Sequence, residues 1–105
     1  MMNTIDINVD IGEGYGIEEK IMPLINSCNI ACGGHAGNNF EIRKLVSMAK
    51  KYNVKIGAHP SYPDKKNFGR VSMKISDYEL SKNLELQLKN FLKILENSER
   101  IHHIK

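Results

Sequence analysis

The sequence predicts an α/β domain whose parallel strands line part of a barrel. Short alternating or apolar runs are separated by stretches of helical period, in the order β-α-β-α-β-loop-α-β. Strands separated by helices are joined by crossovers and therefore run parallel. The first strand also carries a polar face, Asp6, Asn8 and Asp10, where a strand buried between two helical layers would be apolar throughout. Helices would cover its apolar side, and the polar side suits the inside of a barrel near its mouth.

Each element has its own signal. Residues 4–11 alternate strictly, with Ile5, Ile7, Val9 and Ile11 against the polar set, which predicts a strand. GEGYG (residues 12–16) ends it. Residues 18–25 form a short helix carrying Ile21, Met22, Leu24 and Ile25, with Pro23 tolerable only near the first turn. Residues 28–32 are a second strand, followed by the loop GGHAGNN. Asn39 is the predicted N-cap of the next helix, whose Ile42, Leu45, Val46 and Ala49 make one apolar stripe. Lys50 and Lys51 close it at the end the helix dipole favours. Residues 54–58 are a third strand, and 61–70 a turn-rich segment. Ser76 and Glu79 have the spacing of a capping box ahead of the longest helix. That helix carries Leu80, Leu84, Leu88, Phe91 and Leu95 and runs to about Asn97. RIHHIK (residues 100–105) is a fourth strand.

Composition excludes several function classes. A chain of 105 residues has room for one small domain, and 26% charged residues with 41% apolar ones describe a globular chain. The net charge of +3 is mild and the lysines are scattered, so no basic stripe tracks a nucleic acid. No apolar run approaches the roughly 20 residues of a membrane span. The first ten residues lack the regions of a signal peptide, so a cytoplasmic location is expected. Cys28 and Cys32 have no second pair to complete a zinc site and read as small buried apolar residues.

In parallel α/β folds, chemistry sits beyond the carboxyl ends of the strands. Asp10 ends strand one with Glu13 just beyond, His35 follows strand two, and His59 ends strand three. Singly, each has an ordinary reading as a turn former, a helix cap or a solvated loop residue. Together, carboxylates and two imidazoles on one rim form an acid–base or divalent-metal constellation, with Asp10, His35 and His59 as the candidate ligands. Gly12, Gly14 and Gly16 admit a phosphate-cradling loop, but Glu13 puts a negative charge among them and no Lys-Ser/Thr follows. Tight turning explains them better. His102 and His103 are adjacent on a strand, so at most one faces inward, and both read as structural.

The strings DINVDIGEGYG, IMPLINSCNIACGGHAGN, IGAHPSYPD and FGR, in that order and spacing, resemble the N-terminal part of the LamB/YcsF family, that of the A component of 5-oxoprolinase. The resemblance implies a β/α barrel of the glycoside hydrolase/deacetylase type, of which this chain holds the first four strands. It implies ATP-dependent opening of 5-oxoproline to glutamate, with ATP as co-substrate and the B and C components of 5-oxoprolinase as partners. Asp10, Glu13, His35 and His59 match the family's polar motif positions, without a role for each. Asn38 stands where the family commonly has an acid after HAG. Family members also reach about 250 residues, the ordinary barrel size, and continue with a stretch like PHGALYN after the lysine matched by Lys105. The chain is therefore read as a truncated N-terminal portion, inactive by itself. Two other readings stay open: a metal-dependent deacetylase-like hydrolase on the same fold, and an inactive remnant.

Overall fold

The elements follow from local rules, and one sheet unites them. The computed structural model describes residues 3–96 and 100–105. The strands are β1 (Asn8–Ile11), β2 (Ser27–Ala31), β3 (Lys55–His59) and β4 (His103–Ile104). The helices are α1 (Glu18–Ile21), α2 (Asn39–Lys51) and α3 (Asp77–Leu95). The sheet order is β1-β2-β3-β4, and every neighbouring pair is parallel.

The differences from the sequence reading have local causes. β1 begins at Asn8 rather than residue 4, because β2 starts only at Ser27 and leaves the preceding residues without a ladder. Ile7 is met instead by Asn26, whose backbone N–H donates to the Ile7 carbonyl at 2.9 Å. The segment predicted as one helix over 18–25 is α1 followed by a 3-10 turn over Met22–Leu24, since Pro23 has no N–H to continue an α-helical ladder. β2 and β3 are each displaced by one residue. The N-cap of α2 is Asn38, not Asn39: Asn38 is extended and its side chain accepts from the Glu41 N–H at 2.9 Å. Ser76 caps α3 as predicted, accepting from the Glu79 N–H at 3.1 Å. The predicted end of that helix at Asn97 lies outside the described residues. β4 is shorter than 100–105, although the N–H groups of His102 and Lys105 still donate to Ile56 and Ala58 of β3.

The two faces of the sheet are chemically opposite. Ile11, Cys28, Ile30, Ile56 and Ala58 join Ile42, Leu45, Val46, Ala49, Phe91 and Leu95 in one buried apolar cluster against α2 and α3. Both cysteines are free and buried, which pushes the Cys28 thiol up to about 12 and the Cys32 thiol up to about 11. Asn8, Asp10, Ser27, Asn29 and His103 project from the other face, as the two-residue period requires. There Ser27 donates to Asp6, Asn8 to Ser27, and Asn29 to both Asn8 and Asp10, at 2.6–2.8 Å. Among the described residues no helix is long and apolar enough to cross a membrane.

Candidate active site

The carboxyl ends of β1, β2 and β3 lie side by side, so the loops that follow them share one rim. GEGYG turns sharply after β1: Gly12, Gly14 and Gly16 all have positive φ, between 70° and 90°, which is the turning role expected of them. That turn presents Glu13. The loop after β2 presents His35, buried at 4% exposure, and β3 ends in His59.

His35 is held at both ring nitrogens. Its Nε2 lies 2.6 Å from Glu13 Oε2, and its Nδ1 lies 2.7 Å from the Ser61 hydroxyl. A carboxylate only accepts, so the proton of the first pair sits on Nε2, while the hydroxyl can take either role at Nδ1. Phe68 meets the His35 ring edge-on, with centroids 4.8 Å apart. Ser61 is itself fixed by α3. Gln87 accepts from the Ser61 N–H at 3.1 Å and donates to its carbonyl at 2.8 Å. Gly34 leaves room for this clamp, because a Cβ there would run into the Ser61 hydroxyl and the Gln87 amide.

His59 is held differently. Its Nδ1 is 3.8 Å from Asp10 and 4.0 Å from Glu13, too far for a hydrogen bond, and this buried nitrogen has no partner among the described residues. Burial lowers the affinity of His59 for a proton, partly offset by the Asp10 and Glu13 charges. Burial alone would raise the Asp10 carboxyl. Hydrogen bonds from Lys105, at 2.8 and 2.9 Å, and from Asn29 outweigh it and hold Asp10 below its ordinary range.

All four predicted site residues thus arrive at one rim, but not as equals. One ligand atom from each of Glu13, His35 and His59 lies within 4.8 Å of the others, a donor set of two imidazoles and a carboxylate. The unpartnered His59 Nδ1 suits a cation there, whereas Asp10 is occupied by Lys105 and Asn29. Of the histidine pair near the end, His103 faces inward, 2.5 Å from Asn29 Oδ1, and His102 is exposed. The sequence reading did not single out Ser61, Phe68, Arg70 or Gln87. Gln87 left a trace: it is a polar residue on the apolar stripe between Leu84 and Phe91.

A cleft of about 430 Å³ opens onto this rim. Glu13, His35, His59, Ser61 and Arg70 line it with polar groups, and Tyr62, Phe68, Leu80 and Leu84 with apolar ones. The first turns of α3 therefore wall the cleft with Leu80 and Leu84, while Phe91 and Leu95 enter the core.

The model of the LamB/YcsF family matches residues 5–105. The chain is 49% identical over 87 residues to the A component of 5-oxoprolinase from Haemophilus influenzae (strain PittEE), covering 83% of this chain and 36% of that one. It is 43% identical over 110 residues to the protein of the same name from Shouchella clausii (strain KSM-K16), covering 99% and 44%. A crystal structure of a lactam utilization protein from Thermus thermophilus superposes with a TM-score of 0.88 at 35% identity, over 97% of this chain and 44% of that one. The chain spans less than half the length of these relatives, and its sheet and flanking helices match part of the α/β barrel-type fold of the solved structure.

Proposed function

The chain belongs to the LamB/YcsF family, and we propose that it is the N-terminal portion of the barrel of a 5-oxoprolinase A component. In this reading it acts with the B and C components to open 5-oxoproline to glutamate at the expense of ATP. The observation that carries it is the hydrogen-bonded chain Glu13–His35–Ser61, with His35 buried at its centre, opening on a cleft of small-molecule size. The names of the relatives supply the substrate class.

A lactam carbonyl is a poor electrophile. Transfer of the ATP γ-phosphoryl group to the amide oxygen makes the ring carbon attackable. Water then adds to that carbon, the C–N bond breaks with a proton delivered to nitrogen, and a second water releases phosphate from the acyl phosphate. Glu13 and His35 share a proton at Nε2 and are placed to take one from water and return it to the leaving nitrogen. Ser61, clamped by Gln87, fixes the orientation of the His35 ring toward Glu13. A divalent ion on Glu13, His35 and His59 would take the place of that shared proton and supply Lewis acidity at the carbonyl oxygen.

The test completes the barrel with the C-terminal part of a relative, co-expresses the product with the B and C components, and measures oxoproline-dependent release of ADP and glutamate. His35→Ala lowers turnover by at least about a hundredfold with an unchanged circular dichroism spectrum. Near-normal turnover in that variant removes His35 from the chemistry, and no oxoproline-dependent turnover with both partners overturns the activity. The open Nδ1 of His59 favours a second reading, a metal-dependent deacetylase-like hydrolase. ATP-independent, metal-dependent release of acetate from N-acetylated oligosaccharides would establish it instead.

A further inference from the structure

We propose that Arg70 is the specificity-determining residue of the cleft, taking the carboxylate of a small cyclic amide acid; the naming of the ligand rests on the reading above. Arg70 lines the same cleft as Glu13, His35 and His59. Its guanidinium has no carboxylate partner among the described residues, although Asp77 lines the neighbouring groove that Arg70 also borders. Its position is imposed by the loop. Phe68 and Gly69 are successive left-handed residues, with φ of 58° and 68°, and they reverse the chain beneath His35. The reversal is pinned by the Gly69 N–H on the Asp64 carbonyl at 2.8 Å and the Arg70 N–H on the Asn67 carbonyl at 2.9 Å. The Asp64 N–H in turn donates to the Gly34 carbonyl at 3.1 Å, tying this loop to the one that carries His35.

A planar guanidinium matches a carboxylate with two parallel hydrogen bonds. The rest of the cleft decides between anions. Among the described residues Arg70 is the one lysine or arginine that lines it, and Glu13 is a carboxylate in the same wall. A polyphosphate would meet too little positive charge there to be held by this chain's residues alone. A compact, half-apolar ring with one negative charge fits: the ring against Phe68, Leu80 and Leu84, the carboxylate on Arg70, and the amide toward Glu13 and His35.

Amide NMR titration of this chain with 5-oxoproline and with pyrrolidinone, the same lactam without its carboxylate, tests the assignment. Oxoproline should move the Ser61, Gly69 and Arg70 amides and bind about tenfold or more tighter than pyrrolidinone. In Arg70→Gln the preference should fall below about threefold, and Arg70→Lys should keep part of it with a native spectrum. An unchanged preference in Arg70→Gln overturns the proposal. So does preferential binding of inorganic pyrophosphate to these amides, or no response to either lactam. Turnover with the partner components is a separate readout. Carboxylate-dependent binding without turnover keeps this inference and removes the activity, whereas turnover with an unaltered KM for oxoproline in Arg70→Gln does the reverse.

Discussion

On the helix-covered side of the sheet, Cys28, Ile30, Ile56 and Ala58 are at most 1% exposed and pack into one apolar cluster. On the opposite side of the same sheet, Asn8, Asp10, Asn29 and His103 are joined by hydrogen bonds instead. One backbone carries both because the side-chain period of a strand is two. The first face stabilises the fold: burying a large apolar side chain contributes about 1.5–3 kcal/mol. The second contributes less per group, about 1 kcal/mol for each net hydrogen bond, but it holds ionisable groups in one geometry beneath the rim. Apolar packing and polar hydrogen bonding are thus assigned to different sides of one layer.

That division can be broken experimentally. The largest effect is expected on the apolar side. Phe91 is fully buried, and Phe91→Ala should cost about 3–5 kcal/mol in urea unfolding. A loss below about 1 kcal/mol would mean that α3 is not part of the same core.

A smaller effect probes the polar side. The His103 ring lies over Gly57, and a Cβ at Gly57 would overlap it. Gly57→Ala should therefore destabilise by about 1–3 kcal/mol. In a His103→Ala background the same change should become neutral or slightly stabilising, because only the reduced freedom of the unfolded chain remains. Equal losses in both backgrounds would show that the ring is not the obstacle.

The smallest effect is the dependence of stability on acid pH, to which Asp10 of the polar side and His59 at the rim contribute. Asp10 titrates below its ordinary 3.8 when folded, so its contribution is present above that pH and is lost as the pH falls through the folded value. His59 also titrates below its ordinary 6.5, so the unfolded chain takes up that proton first and stability falls as the pH drops below about 6.5. The melting temperature should decline from pH 7 toward pH 3, and Lys105→Met should flatten the lower part of that decline. An unchanged profile in Lys105→Met would remove the Lys105–Asp10 pair from the account.

Most of the fold was legible because it rests on local periodicity. The stripe Ile42, Leu45, Val46, Ala49 states which side is buried, and the alternation in β1 does so for Val9 and Ile11, whereas Ile5 and Ile7 ahead of the strand are exposed. Element ends were less legible. The choice between Asn38 and Asn39 as cap turns on one pair of backbone angles, and both positions hold the same residue type. The site was legible as a rim rather than as a set of contacts. Parallel topology sends Asp10, Glu13, His35 and His59 to the same end of the sheet whatever their side chains do next.

The sequence by itself determined the element order, the parallel sheet, its polar and apolar faces, and the rim where the candidate site residues collect, because each follows from local periodicity and from the alternation of strands with helices. Only the tertiary structure decided who meets whom. Glu13 pairs with His35, 22 positions away, and Asp10 with Lys105, 95 away. Ser61 is clamped by Gln87, and Arg70 turns back to the cleft. Such pairings depend on loop paths and on competition among several carboxylates for a few cations and imidazoles, which no local spacing encodes.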